Sequence, residues 1–328
     1  MRALRDFGTV ESATITVLVD NRADMIVKST EQVAYHTDGP LVAEHGFAVL
    51  VTLQPSGLRV LWDTGATPGA LLENARRMKV DLRSIQAIAL SHGHWDHTGG
   101  LIELLRVLDR RPKAREWPAS TALADVDAWM RSQRVPLYAH PAAFRERWKV
   151  DREGRRLGPT LPPSEPILAA LGAEVITSES PERLAPGCWA TGYVPRVSFE
   201  TSGRSSNAFF REGDDLVPDD IADDQALILN LQAKGLVVVA GCAHAGIVNT
   251  VTYAQEITGV GRVYAVLGGF HLARATDDEV EQTLVAAKRW GAEIVAPSHC
   301  TGFGPICRFA REMPEPFVPA AVGVTYRL

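Results

Sequence analysis

A histidine-rich segment at positions 90–101 constrains the fold of this chain more than any other feature. It reads LSHGHWDHTGGL and follows the apolar run 85–90, so it is predicted to join a strand end to a helix. Four potential metal ligands lie within six positions: His92, His94, Asp96 and His97. A loop at a strand end can aim two imidazoles at one ion while the next carboxylate and imidazole turn towards a second. A histidine-rich surface turn, the alternative, would need neither the apolar strand nor the glycine pair that follows.

Imidazole and carboxylate groups together suit Zn, Mn or Fe, and the residues alone leave the choice open. We expect Zn, as one or two ions, with Mn or Fe as alternatives.

Short β-type runs alternate with helical stretches along the chain, which favours an α/β (α+β) layered fold over a sandwich made only of strands. The clearest helix covers 277–290, where Val280, Leu284 and Ala287 recur at helical spacing after an acidic first turn. The predicted strands are 13–20, 48–54, 59–62, 87–91, 135–139, 189–191, 226–231, 236–240, 263–267 and 293–296. The other predicted helices are 69–79, 99–108 and 248–258.

The composition is that of an ordinary globular protein. The 328 residues are 46% hydrophobic and 22% charged, which excludes fibrous and disordered classes. A net charge of -5 without a long basic run gives no support for a nucleic-acid partner. Four scattered cysteines cannot form a disulfide framework, and no window reaches the roughly 20 apolar residues of a membrane helix. We expect a cytoplasmic protein that binds a small molecule, with no membrane partner.

No Gly/Ser-rich linker divides the chain, so a single domain over 1–328 is expected. Three stretches look like insertions, near 110–134, 149–165 and 202–224. They are predicted as polar loops, with a short helix in the first, and such loops often select substrates or act as lids. Asp223 and Asp224, at the end of the third, are expected to form a solvated turn.

The segment 92–97 resembles the HxHxDH signature of the metallo-β-lactamase superfamily. Further segments are similar to one of its branches, the dihydropterin-(ribofuranosylamino)benzene phosphate synthase-like metallohydrolases, and they run in order from about residue 13 to 327. These segments are 43–46, 61–65, 70–75, 80–82, 191–196, 241–249, 268–272 and 298–302. The resemblance implies the metallo-β-lactamase fold, an αββα sandwich of two mixed β-sheets face to face with helices outside and a metal site at the sheet edge.

The chain departs from the superfamily pattern at two ligand positions. The segment that usually supplies a third imidazole corresponds to 190–196, which contains no histidine, and the usual bridging Asp is replaced by Cys242. The resemblance implies that His244 fills the vacant imidazole role and that Cys242 is a candidate thiolate ligand, although a small buried apolar role for Cys242 stays open. His299 follows a predicted strand end and matches the last metal-binding histidine of the superfamily.

Four further side chains at strand ends or beside His299 are candidates for contact with a substrate. His271 follows two glycines and suits substrate contact or proton transfer, with a hydrogen-bonded structural histidine as the alternative. His140 is a weaker candidate for substrate binding, because an imidazole at a strand end is often a cap; His45 has the same standing. Arg196 offers a planar fork for a carboxylate or phosphate, with an ion pair to Glu200 or Asp224 as the alternative. Thr301 is expected beside Arg196 at the mouth of the site.

These features together predict a metal-dependent hydrolase that attacks an ester, phosphoester or lactone of a small, anionic molecule through a metal-activated water. Asp96 is the predicted general base if only one ion binds. The branch resemblance implies a second reaction, the condensation of a dihydropterin with an aminobenzene ribofuranosyl phosphate. A non-hydrolytic binding or redox protein on the same fold is the third alternative, favoured by the two missing ligands.

Overall fold

Two large β-sheets packed face to face form the centre of the structure, a computed structural model that describes residues 7–204 and 207–328. The strands are β1 Ser12–Val19, β2 Val33–Tyr35, β3 Ala48–Gln54, β4 Arg59–Trp62, β5 Ala87–Ala89, β6 Val135–Ala139, β7 Arg147–Val150, β8 Arg156–Thr160, β9 Ala173–Thr177, β10 Glu182–Ala185, β11 Cys188–Ala190, β12 Ala208–Glu212, β13 Asp215–Pro218, β14 Ala226–Leu231, β15 Gly235–Ala240, β16 Val263–Gly269, β17 Ile294–Ser298 and β18 Val324–Arg327. The helices are α1 Pro68–Arg77, α2 Trp95–Thr98, α3 Leu101–Leu108, α4 Leu123–Ser132, α5 Glu165–Ala170, α6 Ile247–Thr258, α7 Asp277–Trp290 and α8 Phe303–Glu312.

The first sheet has eight strands in the order β2-β18-β1-β3-β4-β5-β6-β9, and the second has six in the order β10-β11-β14-β15-β16-β17. Apolar side chains that alternate along the strands meet between the sheets, among them Ile15, Val49 and Trp62 from the first and Val237 and Leu267 from the second. Because side chains alternate between the two faces of a strand, this arrangement leaves each sheet a second face to cover.

Helices cover both outer faces. Leu71 of α1 and Leu101 of α3 pack on the eight-stranded sheet, while Ile247 of α6 and Leu284 of α7 pack on the six-stranded sheet. The α7 helix has the predicted bounds, and the side chain of Thr276 caps it by accepting a hydrogen bond from the backbone N–H of Glu279. The layered αββα fold implied by the sequence is therefore confirmed.

Two of the three predicted polar loops are wrong, because they contain strands. The strands β7, β8, β12 and β13 form a third sheet in the order β13-β12-β7-β8, built from 147–160 and 208–218. All five residues of β8 are exposed, so this strand has no apolar alternation to reveal it. Ser205 and Ser206, within the third predicted insertion, lie outside the described residues. The short helix expected in 110–134 is α4.

Within the described residues, none of the helices has both the length and the apolar character needed to span a bilayer.

Candidate metal centre

Parallel strands bring the chemically important side chains to one place. In the six-stranded sheet β15, β16 and β17 are parallel, so the residues after their carboxyl ends, which include Cys242, His271 and His299, lie at the same edge. In the eight-stranded sheet β4 and β5 are also parallel, and Asp63 and the histidine-rich segment follow them. The two edges meet, since His97 Nε2 lies 3.2 Å from Cys242 Sγ.

Three imidazoles form the first candidate ligand group. His92 Nε2 lies 3.0 Å from His94 Nδ1, and the ring centre of His244 is 4.9 Å from the ring centres of both. His244 Nδ1 donates to the carbonyl of Gly203 at 3.0 Å, which leaves Nε2 with its lone pair, buried and without a hydrogen-bond partner in the described chain. The structure thus brings His244 to the place expected for the missing imidazole, and its role as a ligand stays a prediction.

Asp96, His97 and His299 form the second group. Asp96 Oδ2 lies 3.4 Å from His299 Nε2 and 3.7 Å from His97 Nε2. Ligand atoms that share a tetrahedral zinc ion are roughly 3.3 to 3.7 Å apart, given bonds of about 2.0 to 2.3 Å. The spacing of these atoms therefore fits a metal ion.

Cys242 lies between the two groups. Its sulfur is within 4.8 Å of the ligand atoms of His92 and His244, and equally of those of Asp96, His97 and His299. Burial raises the pKa of the Cys242 thiol, so the metal-free protein holds a neutral thiol there. A cation bound between the two groups would favour the thiolate form of Cys242.

Hydrogen bonds behind the ligands orient their rings. The fully buried Asp63 accepts from His97 Nδ1 at 2.7 Å and from the backbone N–H and hydroxyl of Ser91 at 2.7 and 2.6 Å. Because the Ser91 hydroxyl donates to Asp63, it accepts from His92 Nδ1 at 2.9 Å. Both arrangements leave Nε2 facing the site, as metal-ligating histidines require.

The charges of the site also suit a cation. Burial lowers the pKa of His92 and His244 well below the ordinary value, so both imidazoles are neutral. Burial opposes protonation of His97 as well, but Asp63 and Asp96 raise its pKa to about 9. Burial would raise the pKa of Asp96, yet the charge of His97 holds it well below the usual range. A proton on His97 therefore supplies part of the positive charge that a metal ion would otherwise bring to the site.

A buried ion network holds the loop that carries His92 and His94. Arg147 Nη2 donates to Asp223 Oδ1 at 2.6 Å, and its Nε donates to Asp219 Oδ2 at 2.8 Å. The other oxygen of Asp223 accepts from the backbone N–H of Gly93 at 2.6 Å. A side chain at Gly93 would place its Cβ 2.0 Å from the carbonyl oxygen of Ala143, so only glycine fits. The solvated turn expected at Asp223 and Asp224 is wrong, because both are buried.

Two predicted substrate-binding residues make structural hydrogen bonds. His140 is buried, and its Nδ1 caps the 3₁₀ helix Pro141–Phe144 by accepting from the backbone N–H of Ala142 at 3.1 Å. Thr301 has no exposed surface, and its hydroxyl accepts from the backbone N–H of Phe270 at 2.9 Å. Substrate contact by either residue stays a prediction.

His271 and Arg196 keep groups free for further contacts. The ring of His271 lies 4.2 Å from that of His244, and its Nδ1 has no hydrogen-bond partner in the described chain. Arg196 donates to the carbonyl of Ile221 at 3.4 Å, while its buried Nε is likewise unpaired. Glu200, one alternative partner of Arg196, accepts instead from the backbone N–H groups of Val248 and Asn249.

Comparison with known proteins agrees with this architecture. A model of the metallo-β-lactamase superfamily matches residues 42–166. A solved metal-dependent hydrolase of the β-lactamase superfamily, 24% identical, superposes with a TM-score of 0.70 over 96% of this chain and 99% of that one. The chain therefore has the metallo-β-lactamase fold, and its residues 42–166 are similar in sequence to that superfamily. A metallo-β-lactamase fold protein of Bacillus subtilis, 13% identical, gives a TM-score of 0.52 over 97% of this chain and all of the other.

Among curated proteins, 7,8-dihydropterin-6-methyl-4-(beta-D-ribofuranosyl)-aminobenzene-5'-phosphate synthase of Methanocaldococcus jannaschii is 29% identical over 319 residues, which are 96% of each chain. This similarity extends over nearly the whole chain. The branch resemblance implied by the sequence motifs is therefore confirmed, and the named activity of that relative is synthesis.

Sequence reasoning assigned no role to four residues that organise the site: Asn21, Asp63, Arg147 and Asp219. Arg147 lies in β7 and Asp219 directly follows β13, and neither of these strands was predicted. Asn21 stands two positions after the end of β1, and its place after a strand end was the only available signal.

Proposed function

We propose that this chain is a metal-dependent enzyme that acts on a small anionic molecule. The observation that carries this proposal is the convergence of two buried ligand groups on Cys242. The mixture of imidazole, carboxylate and thiol fits zinc better than magnesium or calcium, which prefer oxygen ligands alone. A zinc ion bound at these residues would polarise the bond to be attacked and lower the pKa of water.

The side chains around this centre have different roles, which are ring orientation, metal binding and proton transfer. Asp63 and Ser91 hold the rings of His97 and His92, while His244 is held through Gly203. Asp96 is a poor proton acceptor because its pKa is so low, so we assign it to the metal and not to general base catalysis. His271, with an unpaired Nδ1 beside His244, is the better candidate for moving a proton.

Arg196 supports an anionic substrate. Its buried Nε lacks a hydrogen-bond partner within the described chain. Burial raises the pKa of Asp224 and the positive charge of Arg196 opposes this rise, so this carboxyl is its neighbour. A buried donor without a partner costs about 1 to 3 kcal/mol. A carboxylate or phosphate that accepts from Nε would recover this energy, and the planar fork could bind it through two parallel hydrogen bonds.

Hydrolysis of an ester, phosphoester or lactone is the reaction that the paired ligand groups support best. Condensation is the second candidate, favoured by the similarity to the Methanocaldococcus synthase over 96% of both chains. In that reaction the aminobenzene nitrogen would displace a leaving group such as diphosphate from the 6-methyl carbon of a dihydropterin and lose its proton as the new C–N bond forms. The ribose phosphate is then the anion for Arg196.

The decisive experiment incubates Zn-loaded and Mn-loaded protein separately with three kinds of compound. They are a chromogenic phosphodiester, a lactone, and a dihydropterin that carries a diphosphate ester on its 6-methyl group together with the aminobenzene ribofuranosyl phosphate. Turnover of either of the first two that is lost in His92→Ala supports hydrolysis. Formation of the joined product alone, also lost in His92→Ala, supports condensation and rules out hydrolysis. Metal-loaded protein that binds none of these compounds would contradict the proposed enzyme.

A further inference from the structure

The side-chain amide of Asn21 connects two histidines of the site. Its Oδ1 lies 3.0 Å from His299 Nδ1 and 3.3 Å from the backbone N of Gly46. Its Nδ2 lies 3.1 Å from His45 Nδ1 and 3.3 Å from the carbonyl oxygen of His299. Two contacts to the oxygen and two to the nitrogen use the full hydrogen-bonding capacity of the amide.

Two backbone groups fix which way the amide faces. The N–H of Gly46 can only donate, so it must meet the amide oxygen. The carbonyl of His299 can only accept, so it must meet the amide nitrogen. A flipped amide would place like groups opposite each other at both contacts, which would leave donors and acceptors unpaired.

This orientation sets the two imidazoles in opposite tautomers. His299 Nδ1 meets an acceptor and so carries its hydrogen, which leaves the lone pair on Nε2, 3.4 Å from Asp96 Oδ2. His45 Nδ1 meets a donor and so holds its lone pair there. The hydrogen of His45 is therefore on Nε2, which also lies 3.4 Å from Asp96 Oδ2.

We propose that Asn21 is a positioning residue that prepares His299 as a metal ligand and makes His45 a fixed N–H donor beside Asp96. The His45 side chain is 56% exposed, so the same N–H can also reach an oxygen of a bound substrate. Asp20, the preceding residue, supports the arrangement because its Oδ1 accepts from the backbone N–H of His299 at 3.3 Å. The His299 part of this role requires the proposed metal site, whereas the tautomer of His45 does not.

Tautomers can be read directly by nitrogen NMR of protein labelled with ¹⁵N-histidine, metal-free, at about pH 8, where an ordinary imidazole is neutral. We expect the hydrogen of His45 on Nε2 and that of His299 on Nδ1, with signals assigned from His45→Gln and His299→Gln. The same spectrum of Asn21→Asp should show His45 inverted, because a carboxylate only accepts, while His299 is unchanged. Wild-type protein with His45 protonated on Nδ1, or an Asn21→Asp spectrum without inversion, would overturn the proposal.

Metal affinity tests the His299 part. By chelator competition, Asn21→Leu should bind Zn roughly 10- to 100-fold more weakly than wild type, the usual effect of removing a partner of a metal-binding histidine. Asn230→Leu is the matched control. Asn230 donates a hydrogen bond to the carbonyl of Gly8 and lies near the C-terminal end of β14, whereas the buried acids beside the site precede the first residue of this strand. Its affinity should stay within about twofold.

The outcomes separate this role from the proposed function. Wild-type protein that takes up no Zn would refute the metal enzyme, and the tautomers in metal-free protein would still decide the role of Asn21. Wild-type protein that binds Zn, with Asn21→Leu binding it equally well, would overturn the positioning of His299 alone.

Discussion

At the scale of single residues, tautomer and charge decide how the site behaves. His97 is the clearest case, because its Nδ1 is paired with the buried Asp63 and its pKa is raised to about 9. The ligand residues in the histidine-rich segment were predictable from spacing alone. Asp63 and Asn21 were not, since their roles depend on contacts with residues 34 and 278 positions away.

The pKa of His97 predicts how Zn affinity depends on pH. A proton and a metal ion compete for its Nε2, so affinity should rise with pH up to about pH 9, above which this proton no longer competes. The stability of the metal-free protein should move the other way. Because the pKa of His97 is higher in the folded than in the unfolded protein, its protonation adds to the free energy of unfolding. This contribution is complete below the unfolded pKa of about 6.5 and is lost as pH rises through about 9. Titration calorimetry and urea unfolding over this range check both trends.

Arg196 predicts a specific change in kinetics. Arg196→Lys keeps the positive charge but loses the fork, so the KM for an anionic substrate should rise about tenfold while the metal content is unchanged. Arg155→Lys, an exposed arginine paired with Asp151, is the control and should leave KM unaltered. Unchanged kcat and KM in Arg196→Lys would remove the guanidinium from substrate binding.

At the scale of elements, strand ends place the ligands and the third sheet supports them. Strands with buried apolar faces, such as β3 and β14, were predicted with the observed bounds. The third sheet was not predicted because its strands are short and largely exposed. Its importance comes from Arg147 at the start of β7. Arg147 and the backbone N–H of Gly93 both donate hydrogen bonds to Asp223, which links the third sheet to the histidine-rich segment.

Breaking this network should destabilise the protein strongly. Asp223→Asn leaves the buried Arg147 short of a negative partner, and losing one member of a buried ion pair costs about 3 to 5 kcal/mol of the free energy of unfolding. The neighbouring exposed Asp220→Asn should change it by less than about 0.5 kcal/mol. Urea unfolding of metal-free protein measures both. Equal stability of the two variants would show that the network carries no net energy.

The same network adds a dependence on acid. Burial would raise the pKa of Asp223, but Arg147 lowers it overall. Because the pKa of Asp223 is lower in the folded than in the unfolded protein, its ionised form adds to the free energy of unfolding. This contribution is present above the unfolded pKa of about 3.9 and is lost as pH falls through the folded pKa. The stability difference between wild type and Asp223→Asn should therefore be full at neutral pH and shrink only in strong acid.

At the scale of the whole molecule, two sheets from distant parts of the chain meet at one edge and build a single centre. The αββα layers could be predicted because strands and helices alternate and their apolar faces are periodic. In the proposed metal site, His244 and Cys242, both placed after β15, take the places of the missing imidazole and bridging Asp. The sequence alone could not show how the candidate ligands divide into two groups, because Cys242 lies close to both groups in the folded chain.

The central claim is that these residues hold metal, and elemental analysis of the purified chain tests it most directly. After reconstitution with Zn or Mn, wild-type protein should contain between one and two ions per chain, and the double variant His92→Ala with His94→Ala should lose at least one. Circular dichroism of both proteins confirms that the fold is retained. Wild-type protein that remains metal-free after reconstitution would contradict the claim.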